Sequence, residues 1–229
     1  MGAVRPVILR RLPRHARLFD LAAASPLIIF LVFVIAGLAL KIHSEIAASP
    51  YSSQLALSVA TKTVGAIFAA TQVALFFARK VPIAKFDAWW PRFIAVIGGN
   101  SPLLFLMLPD VARGTSAGLI SSVVLVVGTV GSIFVLCRLG RAFSVTPQAR
   151  ALVVAGPYRF IRHPLFVSEQ VIIFGIMIQY EQPWAFVIFA ASALAQFPRM
   201  HYEELILSQA FPEYGAYVAR TARLVPGIY

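Results

Sequence analysis

Residues 139–166 read LGRAFSVTPQARALVVAGPYRFIRHPLF and form a polar, arginine-bearing segment between two apolar runs. Each apolar run is long enough to enter a membrane, so the segment between them is expected to be a connector at the membrane surface. A simple connector needs few specialised side chains, whereas this one carries four arginines and a histidine. Further along the chain, Glu203 and Glu204 supply adjacent carboxylates. The pairing predicts a site at the membrane surface.

The composition is that of an integral membrane protein. Hydrophobic residues make up 59% of the 229-residue chain and charged residues 13%, with a mean hydropathy of +0.81. A soluble domain carries roughly 25% charged residues. The single cysteine, Cys137, excludes an intramolecular disulfide framework. The four scattered histidines show no zinc-ligand spacing, so no metal site is predicted.

Apolar runs of about 20 residues, the length that spans a bilayer, predict an all-α, polytopic transmembrane helical bundle. We expect about six membrane segments in one membrane domain over residues 1–229, with spanning helices in residues 1–137. The last two segments are shorter and are expected to form a helical hairpin that turns at Glu181-Gln182-Pro183. The predicted segments are Phe19–Leu40, Gln54–Ala78, Phe93–Ala112, Ser116–Cys137, Leu165–Tyr180 and Pro183–Pro198.

The cations predict the orientation of these segments. Most of the 20 Lys and Arg residues precede the first segment or follow the second, fourth and sixth. Cytoplasmic loops carry the Lys and Arg excess, so both termini and the 139–166 connector are expected in the cytoplasm. The net charge of +11 then reflects the orientation of the protein in the membrane, with some attraction to anionic membrane lipids. Nucleic acid is not an expected partner. The Ala- and Arg-rich composition favours a bacterial inner membrane.

Ionisable residues within or beside predicted spans are costly and often functional. Lys62 is expected to reach toward the outer membrane face, and Asp110 to be a solvated residue at a helix end. Glu169 is either a helix-start residue or a substrate determinant. Gly98-Gly99-Asn100, followed by Pro102, could break the third segment.

The end of the connector suits a small polar ligand. Gly156 and Pro157 favour a turn, and Pro164 opens the next helix, whose exposed N–H groups attract anionic or polar groups. Tyr158 and Phe166 offer aromatic surface beside it. Two interpretations stay open at this point: a ligand site, or a basic interfacial turn that begins a helix.

The adjacent carboxylates of Glu203 and Glu204 favour the ligand site, because attraction to lipid headgroups would select cations instead. One carboxylate would accept hydrogen bonds from a ligand's amine or hydroxyl groups while the other pairs with arginine. Arg199 and Glu203 share a helix face at i, i+4, so a plain surface ion pair is the alternative. Tyr214 and Tyr217, also at helical spacing, could pack as a cover over the site.

Four sequence blocks, LGRAFSVTPQARALV, GPYRFIRHPLFVSE, RMHYEEL and FPEYGAYVARTARLVPGIY, together resemble one group of integral membrane enzymes. The group comprises the isoprenylcysteine carboxyl methyltransferases and phospholipid methyltransferases. The blocks cover roughly residues 138–229, in the family's order. The resemblance implies that this portion is catalytic and binds S-adenosylmethionine in a cytosol-facing pocket. By matched motif positions it implies Arg199 and Glu204 as catalytic residues, and donor contacts from Gln148, Arg150, Ala151, Leu152, Val153, Tyr158, His163, Pro164, Leu165, Phe166 and Glu203.

Two residues depart from the family pattern. Phe166 stands where tyrosine is usual, which keeps an aromatic wall but loses a hydroxyl. Ser168 stands where glycine is usual, and is expected to narrow the space beside the pocket.

The implied function is S-adenosylmethionine-dependent methylation of an apolar or lipid-linked acceptor, with a carboxylate oriented by Arg199 as the favoured acceptor. A small thiol and a lipid amine are alternative acceptors. A non-catalytic membrane transport or assembly protein is the alternative of a different class.

Overall fold

The fold is known from a computed structural model that describes residues 6–8, 15–48, 50–86, 88–109, 115–180 and 182–227. The described chain is mostly helical, which confirms the predicted helical class. Seven α-helices and three short strands follow one another, with 3₁₀ turns at Ser101–Met107, Gly140–Ala142 and Gly156–Arg159. The α-helices are α1 Ala16–Ala48, α2 Ser53–Ala78, α3 Trp90–Asn100, α4 Thr115–Leu139, α5 Pro164–Met177, α6 Trp184–Ala210 and α7 Tyr214–Val218; the strands are β1 Pro6–Ile8, β2 Ala84–Phe86 and β3 Gln148–Ala149.

Three helices among the described residues are long and apolar enough to cross a membrane. They span Ala16–Ala48, Ser53–Ala78 and Ser116–Ala142, and contain the first, second and fourth predicted segments. Large apolar side chains such as Phe33, which is 72% exposed, cover their outer faces. Such faces suit a lipid environment, where exposed apolar surface carries no hydration cost.

The predicted count of six spans is not confirmed, because the third, fifth and sixth segments are not among these three helices of the described residues. The third is interrupted, because α3 ends at Asn100 and a 3₁₀ turn replaces it. Pro102 lacks an N–H donor, and Gly98-Gly99 weakens the helix before it. The fifth forms α5, whose 14 residues reach about 21 Å and fall short of a bilayer core of about 30 Å. Asp110, at the end of the third segment, lies outside the described residues.

The sixth predicted segment belongs to the longer helix α6, which continues through Pro198 to Ala210. Its second half carries the polar residues Gln196, Arg199, Glu203 and Glu204. Helices α5 and α6 contact each other, as the predicted hairpin requires. Glu181, in the predicted turn, lies outside the described residues.

The structure also corrects the all-α prediction, because the strands form a small antiparallel sheet in the order β1-β2-β3. Phe86 pairs with Pro6, and Ala84 pairs with Ala149. Strands of two or three residues are too short to show the alternation that predicts a strand. The sheet packs against Ile206 of α6, and so fixes the start of the 148–166 segment to that helix.

Close packing of α4 on α5 sets the position of the α5 N-terminus. A Cβ atom on Gly128 would lie 2.9 Å from Ile172, and one on Gly175 would lie 2.9 Å from Leu125. Both glycines therefore permit a helix contact that a larger residue would prevent. Ser132 donates a hydrogen bond of 2.9 Å to Ser168 across the same interface.

Candidate functional site

The segment before α5 is held by the C-terminal part of the chain. Gly156 has a φ of +65°, a left-handed conformation that glycine adopts without strain. The following 3₁₀ turn buries Tyr158, whose carbonyl accepts a 2.7 Å hydrogen bond from the Tyr217 hydroxyl. The backbone N–H groups of Arg162 and His163 donate hydrogen bonds to the carbonyls of Ala222 and Arg223. Helix α7 and the segment after it thus brace the turn.

His163 caps α5 and is fixed by Glu204. Its Nε2 atom lies 3.1 Å from Glu204 Oε1, and a carboxylate can only accept, so Nε2 carries the hydrogen and donates it. Burial lowers the pKa of His163, although Glu204 opposes the shift. The other ring nitrogen, Nδ1, lies 3.9 Å from Glu203 Oε2.

One carboxylate oxygen of Glu204, Oε1, contacts three basic side chains. Besides His163, Glu204 Oε1 lies 2.8 Å from Arg162 Nε and 3.2 Å from Arg223 Nε. Burial alone would raise the pKa of Glu204, but hydrogen bonds from His163 and Arg162 outweigh it and lower the pKa to about 2. Glu204 is thus ionised, and ties the α5 N-terminus to α6 and to the C-terminal segment.

Glu203 has a different environment from its neighbour. Its side chain is 26% exposed, and that exposed part opens into the cavity described below. Burial raises the pKa of Glu203 to about 7, with Arg199 opposing the shift and Glu169 adding to it. A ligand cation in the cavity would stabilise the ionised form.

Arg199 lies at the inner end of the site and is 4% exposed. Its Nη1 atom is 3.4 Å from Glu169 Oε2 and donates a 3.1 Å hydrogen bond to Gln196 Oε1. The guanidinium also lies 4.5 Å from the Phe166 ring centroid, and that ring stacks on His163 at 5.2 Å. Arg199 thus pairs with Glu169, and does not form the plain surface ion pair with Glu203 that was the alternative interpretation.

His163, Phe166, Arg199 and Glu203 line one cavity, whose volume is about 830 Å³ when its open mouth is included. Ten of the thirteen predicted site residues contribute to its lining: Gln148, Ala151, Leu152, Val153, Tyr158, His163, Leu165, Phe166, Arg199 and Glu203.

Comparison with known proteins gives a family match over part of the chain. A model of the phospholipid methyltransferase family matches residues 116–214. Over these residues the chain is similar to the phospholipid methyltransferase family. This confirms the resemblance found in the four sequence blocks, and the match contains most of the cavity lining.

Two curated relatives are similar to this chain. The cobalt-zinc-cadmium resistance protein CzcN of Cupriavidus metallidurans is 30% identical over 110 residues, which are 47% of this chain and 51% of the relative. The nickel-cobalt-cadmium resistance protein NccN of Alcaligenes xylosoxydans xylosoxydans is 33% identical over 110 residues, 47% of this chain and 52% of the relative. The chain thus spans about half the length of the curated relatives it matches.

Three of the predicted site residues lie outside the cavity lining. Pro164 forms the first turn of α5 behind the cavity wall, and Glu204 stands behind His163. Arg150 turns away toward Asp20 of α1. The expected effect of Ser168 is also corrected, because its hydroxyl faces Ser132 of α4 and not the cavity.

The lining also contains residues that the motif positions did not imply. Tyr214 and Tyr217 come from α7, in agreement with the predicted cover. Arg162 was noticed as basic but not assigned to the site. Ile206 and Leu207 follow Glu203 by three and four residues, so helical spacing would have predicted them. The additional lining residues are Leu139, Ala142, Ser144, Thr146, Arg162, Ile206, Leu207, Tyr214 and Tyr217.

The pKa values of the two glutamates predict how stability depends on pH. The folded protein keeps the Glu203 proton up to about pH 7, whereas the unfolded chain loses it near 4.5, so stability should fall as pH rises through this window. Glu204 has the opposite sign: its contribution is present above 4.5 and is lost as pH falls toward 2.

Thermal unfolding of detergent-solubilised protein across this range measures the Glu203 effect. We expect Glu203→Gln to remove the fall in stability between about pH 4.5 and 7, while Glu213→Gln, at an exposed position, leaves it intact. A Glu203→Gln variant with the same pH profile as the parent protein would contradict the assignment.

Proposed function

We propose that the protein is an S-adenosylmethionine-dependent methyltransferase that acts at the membrane on an apolar or lipid-linked acceptor. The observation that carries this proposal is the cavity itself. It brings Glu203, His163 and the aromatic side chains of Tyr158 and Phe166 together inside the region matched to a methyltransferase family.

The cavity lining fits the chemistry of this donor. Ionised Glu203 and the His163 Nδ1 lone pair are acceptors suited to the donor's ammonium group, and aromatic faces attract a sulfonium cation. The backbone groups of residues 151–153 have no hydrogen-bond partner in the described chain. Such an extended strip can pair with the edge of an adenine ring. When bound, the donor supplies an electrophilic methyl group.

Arg199 is the residue best placed to orient the acceptor. In-line displacement depends on alignment, so a group that fixes the acceptor supplies much of the acceleration. A carboxylate acceptor would bind the guanidinium in place of Glu169, since the existing contact of 3.4 Å is long and single. The Phe166 ring holds the guanidinium plane from below.

A lipid amine is the second candidate acceptor, and Glu169 favours it. Glu169 and Glu203 both lie near Arg199, so the inner end of the site holds two carboxyl groups and one guanidinium. An amine could bind Glu169 directly and leave the ion pair with Arg199 in place.

A second cavity gives the acceptor an apolar path. It lies between α5 and α6, measures about 900 Å³ with its opening, and is almost entirely apolar. Phe166 lines both cavities, so the two meet at the same ring. The amide of Gln170 lines the second cavity, and both of its polar atoms are buried without a partner. A lipophilic acceptor with one polar group near its reactive end would match these features.

The names of the two relatives concern metal resistance. Within the described ranges, no group of three or more His, Cys, Asp or Glu side chains is arranged to hold a metal ion. A contribution of this chain to resistance would, under our proposal, act through methylation of a membrane component.

Transfer of radiolabelled methyl groups tests the proposed function. Purified protein is incubated with methyl-labelled S-adenosylmethionine and a total lipid and small-molecule extract, and organic-phase label is measured against an Arg199→Ala control. Label that mild base releases as methanol identifies an ester and hence a carboxylate acceptor; base-stable label identifies an amine or a thiol. No transfer above the control would favour the non-catalytic alternative.

A further inference from the structure

A buried ion-pair cluster joins the first two helices to the start of the cavity segment. Asp20 of α1 binds Arg150 through both oxygens, with Oδ1 2.7 Å from Nη2 and Oδ2 3.0 Å from Nη1. The same Oδ2 lies 2.8 Å from Nε of Arg79, at the end of α2. The side chain of Arg150 is fully buried and that of Arg79 is 6% exposed. We call these three residues the Asp20 cluster.

Arg150 also contacts residues at the cavity wall. Its Nη2 atom donates a 2.7 Å hydrogen bond to Gln148 Oε1, and its Nη1 atom donates to the Lys80 carbonyl. Gln148 and Ala151, on either side of Arg150, both line the cavity. The orientation of Gln148 and the course of the strip that begins at Ala151 therefore depend on the guanidinium.

An ion pair is an inefficient way merely to join helices, because burying charges costs free energy that apolar packing does not. Apolar residues already join α1 to α2 and α4, including Leu31, Phe76 and Leu136. The planar guanidinium of an arginine additionally fixes the positions of several hydrogen-bond acceptors in one plane. The cluster is thus better suited to positioning than to cohesion.

We infer that Asp20 is a positioning residue for the donor site, which holds residues 148–153 in place through Arg150. This inference rests on the proposed function. Asp20 and Arg79 lie outside the matched residues 116–214, so the first two helices complete a site that the methyltransferase-family region does not complete alone.

The variant Asp20→Asn tests the inference, with Glu45→Gln as a matched control. Glu45 forms an ion pair with Lys62, 2.9 Å apart, which also joins α1 to α2 but near their other ends. Binding of the demethylated donor product, S-adenosylhomocysteine, is measured by calorimetry on full-length protein in detergent. Hydrogen exchange of residues 148–153 is measured without ligand. We expect Asp20→Asn to weaken binding about tenfold, as a small misplacement of a positioning group does, and to speed this exchange.

Glu45→Gln should leave both measurements unchanged. Equal binding and exchange in Asp20→Asn and the parent protein, or equal losses in Glu45→Gln, would overturn the inference. If the parent protein itself fails to bind the ligand, the proposed function fails, and the exchange rates still decide whether Asp20 orders residues 148–153.

A second pair of variants covers the case in which Asp20→Asn does not fold. Arg150→Lys keeps the charge but cannot reach Asp20 and Gln148 together, whereas Arg79→Lys changes a residue that touches Asp20 and not the cavity strip. Faster exchange of residues 148–153 in Arg150→Lys than in Arg79→Lys is the expected result. Equal exchange in the two variants would overturn the inference.

Discussion

Replacement of Arg199 by lysine is expected to slow methyl transfer about 100-fold, the loss that follows when an acceptor is misplaced by about 1 Å. Lysine keeps the charge but lacks the planar fork that binds a polar group through two hydrogen bonds. It would also lose the stacked contact with Phe166, which holds the guanidinium 4.5 Å from the ring centroid. Binding of S-adenosylhomocysteine should change little, because the donor contacts are assigned to other residues.

The measurement is the initial rate of labelled methyl transfer beside the affinity for the donor product in the same preparation. Arg92→Lys is the control, since Arg92 donates a 2.7 Å hydrogen bond to the Phe86 carbonyl and lies outside the cavity lining. An Arg199→Lys variant with the parent rate would remove Arg199 from the acceptor site. A variant that loses donor affinity as strongly as rate would place Arg199 on the donor side.

Replacement of Glu204 by glutamine should have the largest effect on stability. It leaves Arg162, His163 and Arg223 without the carboxylate on which they converge. Hydrogen bonds to charged groups contribute about 1.5–3 kcal/mol each, but Glu204 is 21% exposed, so water offsets part of the loss. We expect unfolding to require about 2 kcal/mol less, which corresponds to a fall in the thermal midpoint of about 4–8 °C for a chain of this length.

Donor binding should weaken in the same variant, because Glu204 fixes the hydrogen of His163 on Nε2 and so directs Nδ1 to Glu203. Glu213→Gln removes a charge from an exposed position of the same region and serves as the control for both measurements. A Glu204→Gln variant as stable as this control would show that the three contacts on Oε1 contribute nothing net.

The sequence predicted the cavity better than the fold around it. His163 and Glu203 are linked by motif and by chemistry, since a buried histidine at a helix start and a carboxylate on a facing helix form a recognisable pair. Their proximity, 3.9 Å between Nδ1 and Oε2, follows from the contact between α5 and α6. Tyr214 and Tyr217 were predictable as a cover from their helical spacing.

Arg150 and Ser168 show where sequence reasoning stopped. Both belong to motif blocks, so both were assigned to the pocket or its edge, yet each side chain turns to a distant element of the chain. Arg150 binds Asp20, 130 residues away, and Ser168 binds Ser132 of α4. Motif position indicates where the backbone runs, whereas tertiary packing decides which way a side chain faces.

The sequence indicated the break in the third segment but not the sheet. Apolar composition predicted a membrane segment over Phe93–Ala112, and Gly98-Gly99-Asn100 with Pro102 indicated a possible break, which the structure shows after Asn100. The strands are too short for a periodic pattern, and Ala84 pairs with Ala149 across a long separation. Local sequence carries no signal for such a pairing.

Binding of S-adenosylhomocysteine to the purified protein tests the central claim most directly. Isothermal titration should show one site in the parent protein and in Glu213→Gln, and a strongly reduced affinity in His163→Ala and in Glu203→Ala. Unchanged affinity in both alanine variants, or no binding by the folded parent protein, would contradict the assignment of this cavity as the donor site.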